Sequence, residues 1–201
     1  MKKLLLSLAL GTAVTLSANA QKESEFKPFK VDLSLGYAIP GGSGAKAGIL
    51  FAVEPKYAVI NNLSVGLRME AAVVARVSGY NSDGSAVAAS VKAAGSYLAT
   101  GDYYFNDNYS FRPFAGAGAG LFTIAAAEVT SSTEAVGASR KFGGLLRAGF
   151  EASHFRLGIE YNLVPNTTFN GFDYNGEPAK VTSKNSYIGL KLGVCIGGGP
   201  R

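Results

Sequence analysis

The sequence predicts an all-β fold, a single eight-stranded antiparallel up-and-down transmembrane β-barrel. Three observations lead to this prediction. The first is an N-terminal segment typical of protein export. The second is a series of eight runs in which apolar and polar residues alternate with period 2. The third is a strict alternation of short and long connections between those runs.

Residues 1–20 have the layout of a secretory signal peptide, and residues 21–201 form the predicted barrel domain. Two lysines follow the first methionine, an apolar stretch comes next, and residues 18–20 (Ala-Asn-Ala) make a small-x-small cleavage site. The apolar stretch is shorter than the ~20 residues of a membrane-spanning helix, which makes a membrane anchor the weaker interpretation. The mature chain is therefore expected to begin at Gln21.

The charge, the cysteine content and the apolar runs argue against a nucleic-acid-binding protein, a disulfide-stabilised protein and a helical membrane protein. Without the two lysines of the signal peptide, the chain has 17 Lys and Arg against 14 Asp and Glu. These bases are scattered singly, so no nucleic-acid partner is predicted. The single cysteine, Cys195, cannot form an intrachain disulfide. Beyond residue 20 no apolar run reaches the ~18 residues of a transmembrane helix, so membrane contact is expected to come from amphipathic strands.

Eight runs with strand-like alternation follow one another along the mature chain. Apolar and aromatic residues occupy every second position over much of their length, which is the pattern of strands with one apolar face. Pro55 lies within the second run and predicts a local bulge, because proline cannot donate a ladder hydrogen bond. The predicted strands are Phe29–Ile39, Gly48–Ile60, Leu63–Val77, Val91–Phe105, Phe111–Ala125, Arg140–Ala152, Phe155–Val164 and Ser183–Ile196.

The connections between these runs alternate in length. Membrane barrels have short turns on the periplasmic side and longer loops outside. An even number of strands then brings both termini to the periplasmic side. The short connections are rich in turn-forming residues: Asn61-Asn62, Asn106-Asp107-Asn108 and Ser153-His154. The long ones are polar or small: Pro40–Ala47, Ser78–Ser90, Ala126–Ser139 and Pro165–Thr182.

Charged residues within the runs share one face, which is the predicted lumen face. An eight-stranded barrel has a narrow interior filled by side chains, and buried charges are costly unless they are paired. Glycines on the same face, such as Gly116 and Gly118, make room for long side chains. The sequence therefore predicts ion pairs across the lumen, in a network of Glu54, Lys56, Arg68, Glu70, Arg147, Glu151, Arg156 and Glu160. Asp32, Asp102 and Lys191 share this face but are not assigned to the centre of the network.

One sequence does not decide which face of the strands is outside. The same charges would face solvent in a soluble β protein, and the signal peptide and the alternating connections favour the membrane barrel instead. Aromatic residues near the ends of the runs are candidates for interfacial girdles, although strand-favouring composition also enriches aromatics. They are Phe29, Tyr37, Tyr57, Tyr103, Phe105, Phe111, Phe155 and Tyr161.

Two segments carry a resemblance to a known family. They are GILFAVEPKYAVINNLSVGLRMEAAVV, which starts at Gly48, and the closing NSYIGLKLGVCIGGGPR. They resemble the small outer-membrane β-barrel proteins of the OmpA transmembrane-domain and OmpW-like type, and the likeness of pattern spans nearly all of the mature chain. The resemblance implies a bacterial outer-membrane location, contact with outer-membrane lipid, and insertion by the barrel-assembly machinery. That machinery commonly favours a terminal aromatic residue, whereas this chain continues past its last strand into Gly-Gly-Gly-Pro-Arg.

The sequence offers no catalytic set, no metal site and no cofactor site, so the chain is predicted not to be an enzyme. A Ser-His-acid arrangement needs a suitably placed histidine, and the single histidine, His154, lies in a predicted tight turn. One histidine and Cys195, far apart in sequence, do not make the clustered ligand set of a metal site. Residues 42–46 (Gly-Ser-Gly-Ala-Lys) lack the spacing of a phosphate-binding loop.

Two functions remain open at the level of sequence. The first is a structural or surface-interaction barrel with a side-chain-filled lumen. The alternative is a narrow outer-membrane channel for ions or small hydrophobic solutes, which an excess of bases on the lumen face favours: Arg68, Arg76, Arg112, Arg147 and Arg156. A soluble lipocalin-like binder would require the charges to lie outside. The sequence does not identify the partners of the extracellular loops.

Overall fold

The computed structural model describes residues 27–41, 47–80, 86–128, 138–172 and 178–199. The predicted signal peptide lies outside these ranges. No helix in the described part of the chain is long and apolar enough to cross a membrane. The strands are β1 (Phe29–Pro40), β2 (Gly48–Ile60), β3 (Leu63–Tyr80), β4 (Ala86–Tyr104), β5 (Arg112–Glu128), β6 (Ala138–Ala152), β7 (Phe155–Leu163), β8 (Thr167–Phe172), β9 (Pro178–Ser183) and β10 (Tyr187–Gly197).

Eight of these strands close into a barrel in the order β1-β10-β7-β6-β5-β4-β3-β2. Every neighbouring pair in the ring is antiparallel. β1 closes the ring by pairing with β10, from Lys30 opposite Gly197 to Pro40 opposite Tyr187. The predicted eight-stranded antiparallel barrel is therefore confirmed. Closure pairs backbone groups of the first and last strands that an open sheet would leave free.

The other two strands, β8 and β9, form a separate hairpin between β7 and β10. The pairing runs from Thr167 opposite Ser183 to Phe172 opposite Pro178. The sequence predicts only a long loop over Pro165–Thr182, and that part of the prediction is wrong. The first strand of the hairpin does not alternate strictly, since Phe169 and Phe172 are three residues apart, so period 2 does not identify it as a strand.

β3 and β4 continue far into the predicted Ser78–Ser90 loop. β3 ends at Tyr80 and β4 begins at Ala86, and two register shifts near Gly79 absorb the irregular spacing. β5 and β6 likewise extend into the predicted Ala126–Ser139 loop. Serine, glycine and alanine favour strands weakly, so these segments have the composition of loops. Their pairing with the facing strand extends the ladder nonetheless.

The bulge predicted at Pro55 is not found there. Val53 pairs with Met69 and Lys56 with Gly66, so the register between β2 and β3 is the same on both sides of the proline. The register shift lies instead between Ala58 and Ile60, next to the tight turn. A proline removes a donor without adding a residue to the strand, and a bulge requires an added residue.

The barrel wall is apolar outside and polar inside. In β1, Leu35 and Tyr37 are exposed on the outer face, whereas Lys30 and Asp32 are buried in the lumen. This inverts the arrangement of a soluble sheet and is typical of membrane barrels. We call the end with the connections at residues 61–62, 105–111 and 153–154 the short-turn end, and the opposite end the long-loop end.

Aromatic side chains surround the short-turn end. Phe29, Tyr57, Tyr103, Phe105, Phe111 and Phe155 are all exposed there on the outer face. Some are in contact: the ring centroids of Tyr103 and Phe105 are 5.5 Å apart, and those of Phe111 and Phe150 are 5.2 Å apart. Tyr37 and Tyr161 are exposed farther along their strands, toward the long-loop end. This distribution matches the aromatic girdles of membrane barrels.

Candidate functional site in the barrel lumen

Inward-pointing side chains fill the lumen, because successive residues of a strand point to opposite faces of the sheet. The structure buries all eight residues of the predicted network, and each of them makes at least one ion pair. Among the residues whose burial the structure describes, five further charged ones are buried on the same face: Lys30, Asp32, Asp102, Arg112 and Lys191. The ion pairs fall into three clusters that follow one another from the short-turn end toward the long-loop end.

The first cluster lies beside the short turns and is centred on Glu151. Lys30 Nζ donates to the two carboxylate oxygens of Glu151 at 2.6 and 2.7 Å, and to the hydroxyl of Tyr104 at 2.7 Å. That hydroxyl in turn donates to Glu151 at 2.6 Å. Arg156 also pairs with Glu151 and stacks over the ring of Phe114 at 3.6 Å. The buried carboxylate thus accepts from two cations and a hydroxyl, which compensates its charge.

The second cluster is centred on Asp102. This carboxylate accepts from Arg147 Nε at 2.7 Å, Lys56 Nζ at 2.6 Å and Arg156 Nη2 at 2.9 Å. Arg147 uses its two terminal nitrogens to hold Glu54 in a bidentate pair at 2.7 and 2.6 Å. Bidentate arginine–carboxylate pairs fix orientation as well as charge. Because Arg156 belongs to both clusters, the first and second are joined.

The third cluster lies farther toward the long-loop end and contains two acids and two bases. Arg68 pairs with Glu70 and, at 2.8 Å, with Glu160. Lys191 pairs with the same two carboxylates at 2.5 and 2.7 Å. The hydroxyl of Tyr187 donates to Glu70 at 2.6 Å. The four charges cancel one another across the lumen between β3, β7 and β10.

An apolar layer closes the lumen beyond the third cluster. Leu50, Leu98, Phe122 and Leu145 are at most 1% exposed. They come from β2, β4, β5 and β6, so their side chains meet from different parts of the wall. In the described part of the chain the buried residues of this layer are Ala38, Leu50, Ala72, Leu98, Phe122, Leu145, Val164 and Tyr187. An ion would have to shed its water to cross such a layer.

Gly116 provides the space that Asp102 occupies. A Cβ at position 116 would lie 2.1 Å from the Oδ1 atom of Asp102 and 2.7 Å from the carbonyl oxygen of Gly101. A Cβ at Gly118 would similarly lie 2.9 Å from the carbonyl oxygen of Ala99. The glycines on the lumen face of β5 thus let the charged side chains of neighbouring strands pack against its backbone.

Three possible metal ligands meet beside the first cluster. One ligand atom each from Asp32, Glu151 and Cys195 lies within 4.8 Å of the others, and all three side chains are buried. Asp32 is already paired with Lys56 at 2.5 Å, and Glu151 with Lys30 at 2.6 Å. A divalent cation at this position would therefore meet two ammonium groups. These residues do not fit a metal ion.

His154 serves a structural purpose at the short-turn end. Its Nδ1 lies 2.9 Å from the carbonyl oxygen of Cys195, and its Nε2 lies 3.3 Å from the hydroxyl of Tyr109. A carbonyl only accepts, so Nδ1 carries the proton in this contact. Both ring nitrogens are engaged, and they fasten the turn between β6 and β7 to β10 and to the connection between β4 and β5. This geometry leaves neither nitrogen directed at a serine.

Comparison with known protein families agrees with this architecture. The family model for the outer membrane protein beta-barrel domain matches residues 6–194. The chain belongs to that family. No curated protein sequence matches it. Family membership places the protein in the bacterial outer membrane. In barrels of this kind the short turns face the periplasm and the long loops face the exterior.

Solved structures with the same fold include two bacterial proteins. The neisserial surface protein NspA has a TM-score of 0.55 and 17% sequence identity, over 86% of this chain and 98% of its own. The outer-membrane protein OprG from Pseudomonas aeruginosa has a TM-score of 0.52 and 12% identity, over 87% of this chain and 98% of its own. At such low identity the likeness concerns the fold alone.

Several lumen residues lie outside the network predicted from the sequence. Asp102 forms the centre of a cluster although the sequence placed it only on the polar face. Lys30, Tyr104 and Asn162 were not noted at all, yet each is buried in the lumen. The sequence does contain the information that would assign them. Each lies two residues from a residue on the predicted polar face, and residues two apart in a strand point to the same side.

Proposed function

We propose that this protein is a non-enzymatic outer-membrane barrel with a closed lumen, and that its role is structural or lies in interactions at the cell surface. The observation that carries this proposal is the filling of the lumen by three ion-pair clusters and an apolar layer. Arg147 on β6, for example, reaches Glu54 on β2 across the barrel. An ion passing through the lumen would have to separate buried charges that are costly to leave unpaired, so it would meet a barrier.

The free space in the middle of the lumen supports the same proposal. A cavity of about 20 Å³ lies between the charged side chains, with Asp32, Glu54 and Lys191 among the residues that line it. A volume of that size holds about one water molecule. It does not hold the continuous column of water that an ion channel requires.

A role at the cell surface draws support from the β8–β9 hairpin at the long-loop end. Asn185 donates to the carbonyl oxygen of Pro165 at 2.7 Å and to the hydroxyl of Thr167 at 2.8 Å. The hydroxyl of Ser186 accepts a hydrogen bond from the N–H of Val164 and donates one to the C=O of the same residue, each at 3.1 Å. These bonds fasten the base of the hairpin to the barrel. An ordered loop loses less entropy when it binds a partner.

Planar-bilayer recording tests the closed lumen. The sample is purified protein that migrates differently on a gel with and without heating, which shows that it is folded. We expect no resolved conductance steps at high concentrations of KCl, and a heat-unfolded sample serves as the control for contaminating porins. Steps of reproducible size that occur only with the folded protein would contradict the proposal. They would favour the alternative, a narrow channel for ions or small solutes.

We also propose that residues 1–20 are removed as a signal peptide and that the barrel-assembly machinery inserts the mature chain among outer-membrane lipids. The layout of the N-terminal segment and the family support this. The mass of the protein from the outer-membrane fraction is expected to correspond to a chain that starts at Gln21. Retention of residues 1–20 would contradict cleavage. An unchanged amount of folded protein after depletion of the machinery would contradict assisted insertion.

A further inference from the structure

The ion-pair clusters meet around the small enclosed cavity in the lumen. Its volume is about 20 Å³. Side chains from five strands of the barrel contribute charged groups to its lining, so it lies where the clusters adjoin. These groups are the carboxylates of Asp32, Glu54 and Glu160 and the cationic groups of Arg147, Arg156 and Lys191.

Asp32 presents an unsatisfied hydrogen-bond acceptor at this cavity. Its side chain is buried, with 4% of the residue exposed, and it lines the cavity. Its Oδ2 atom is ion-paired with Lys56 at 2.5 Å, but Oδ1 accepts no hydrogen bond from any described residue. A buried acceptor without a donor is energetically costly, because it has lost its bonds to water and gained none in return. A small donor in the cavity would therefore stabilise the lumen.

The charges around the cavity select a neutral occupant. Three carboxylates and three cationic groups line it. A sodium ion would lie against Arg147, Arg156 and Lys191, and a chloride ion would lie against the three carboxylates. A water molecule both donates and accepts hydrogen bonds, and a cavity of this volume holds about one.

We infer that one long-lived water molecule occupies this cavity, donates to Oδ1 of Asp32 and so supplies the hydrogen bond that the surrounding side chains leave unmade at this oxygen. The inference rests on the closed lumen proposed above, because water in an open lumen exchanges freely with bulk solvent. Ser34, which also lines the cavity, offers a hydroxyl as a further hydrogen-bond partner for this water.

Gly158 makes it possible to fill the cavity without disturbing the ion pairs. It lies on the lumen face of β7 and lines the cavity. A Cβ at this position would meet only ordinary contacts, 3.5 Å from the carbonyl oxygen of Ala148 and 3.6 Å from Cζ of Phe114. The methyl group of Gly158→Ala would take up the space of the water. Gly101→Ala is the matched control, because a Cβ there has no neighbour within 4 Å and Gly101 does not line the cavity.

Oxygen-17 magnetic relaxation dispersion counts long-lived water molecules in the folded, detergent-solubilised protein. We expect Gly158→Ala to lose about one such molecule relative to the unsubstituted protein, and Gly101→Ala to lose none. An equal count in all three proteins, without conductance, would overturn the inference and leave the closed lumen intact. Resolved conductance steps would overturn both.

A crystal structure of the unsubstituted protein tests the inference independently of any variant. An electron-density peak for water is expected about 2.5–3.2 Å from Oδ1 of Asp32. An empty or purely apolar environment at that oxygen, in a map that resolves other ordered waters, would overturn the inference.

Discussion

At the scale of the residue, the buried charges of this barrel are stable only as members of pairs. Arg147 shows this most clearly, since its guanidinium group holds Glu54 and Asp102 and its side chain is 2% exposed. Burying any one of these groups alone would carry a desolvation cost of several kcal/mol. The contribution of Arg147 therefore depends on its partners. Its removal leaves Glu54 without its bidentate partner and Asp102 with two of its three donors.

Arg147→Met is expected to lower the free energy of unfolding by about 3–5 kcal/mol, because it leaves the buried carboxylate of Glu54 without its bidentate partner and removes one of the three donors to Asp102. The chain has no tryptophan, so urea denaturation in detergent is followed by far-ultraviolet circular dichroism. The control is Arg140→Met, at an exposed position of the same strand near the long-loop end. Its effect is expected to stay within about 0.5 kcal/mol. Equal losses in the two variants would show that Arg147 is not stabilised through its ion pairs.

Gly116→Ala is expected to destabilise the barrel by about 1–3 kcal/mol, because the added methyl group overlaps the carboxylate of Asp102 and the backbone of the adjacent strand. Gly101→Ala is the matched control on that adjacent strand, where a Cβ meets nothing within 4 Å. The same denaturation experiment measures both. A loss for Gly101→Ala as large as that for Gly116→Ala would mean that strand flexibility, and not space for Asp102, decides the cost.

At the scale of the element, each barrel strand divides its residues between lipid and lumen. In β10, Leu190 and Leu192 are exposed while Lys191 is buried between them. Leu192 pairs with Leu35 of β1 and Leu157 of β7, so an apolar band continues across three strands. Phe29 lies at the short-turn end of β1, among the exposed aromatic side chains that surround that end of the barrel. The position of a residue along its strand therefore determines its depth in the membrane, and the alternation of side chains determines whether it faces lipid or the lumen.

Leu192→Arg is expected to cost about 2–4 kcal/mol, because it places a charge within the lipid-facing band. Phe29→Arg, close to the interface, is expected to cost only about 0–1 kcal/mol from the charge. Reversible urea unfolding in phospholipid vesicles measures both. A larger cost for Phe29→Arg than for Leu192→Arg would contradict the depth assigned to these strands.

At the scale of the whole molecule, the sequence predicts the features that repeat locally and misses those that depend on distant pairing. Period 2 predicts the eight barrel strands and the lumen face of Glu54 and Arg147. It does not predict that β3 continues to Tyr80, because that extension depends on pairing with β4. Nor does it predict which acid meets which base. Asp102 becomes the centre of a cluster only because closure brings three distant strands around it.

Because the barrel is closed, a solute that enters the lumen meets the ion-pair clusters and the apolar layer one after another. The reactivity of Cys195 reports whether a solute can reach it from either end. This single cysteine is a free, buried thiol near the periplasmic end. Between it and the exterior lie the second and third clusters and the apolar layer. At the periplasmic end Tyr104 is buried and is hydrogen-bonded to Lys30 and to Glu151, and Glu151 lies beside Cys195.

A water-soluble thiol reagent is therefore expected to leave Cys195 unmodified in the folded protein and to modify it fully in urea. Tyr104→Ala is expected to accelerate modification of the folded protein, because it opens the periplasmic end of the lumen beside the thiol. Leu98→Ala combined with Phe122→Ala opens only the apolar layer, and the ion pairs below it still separate the thiol from the exterior. Mass spectrometry of the intact protein measures the extent of modification over time. Rapid modification of the Leu98/Phe122 double variant would show that the ion-pair clusters do not close the lumen.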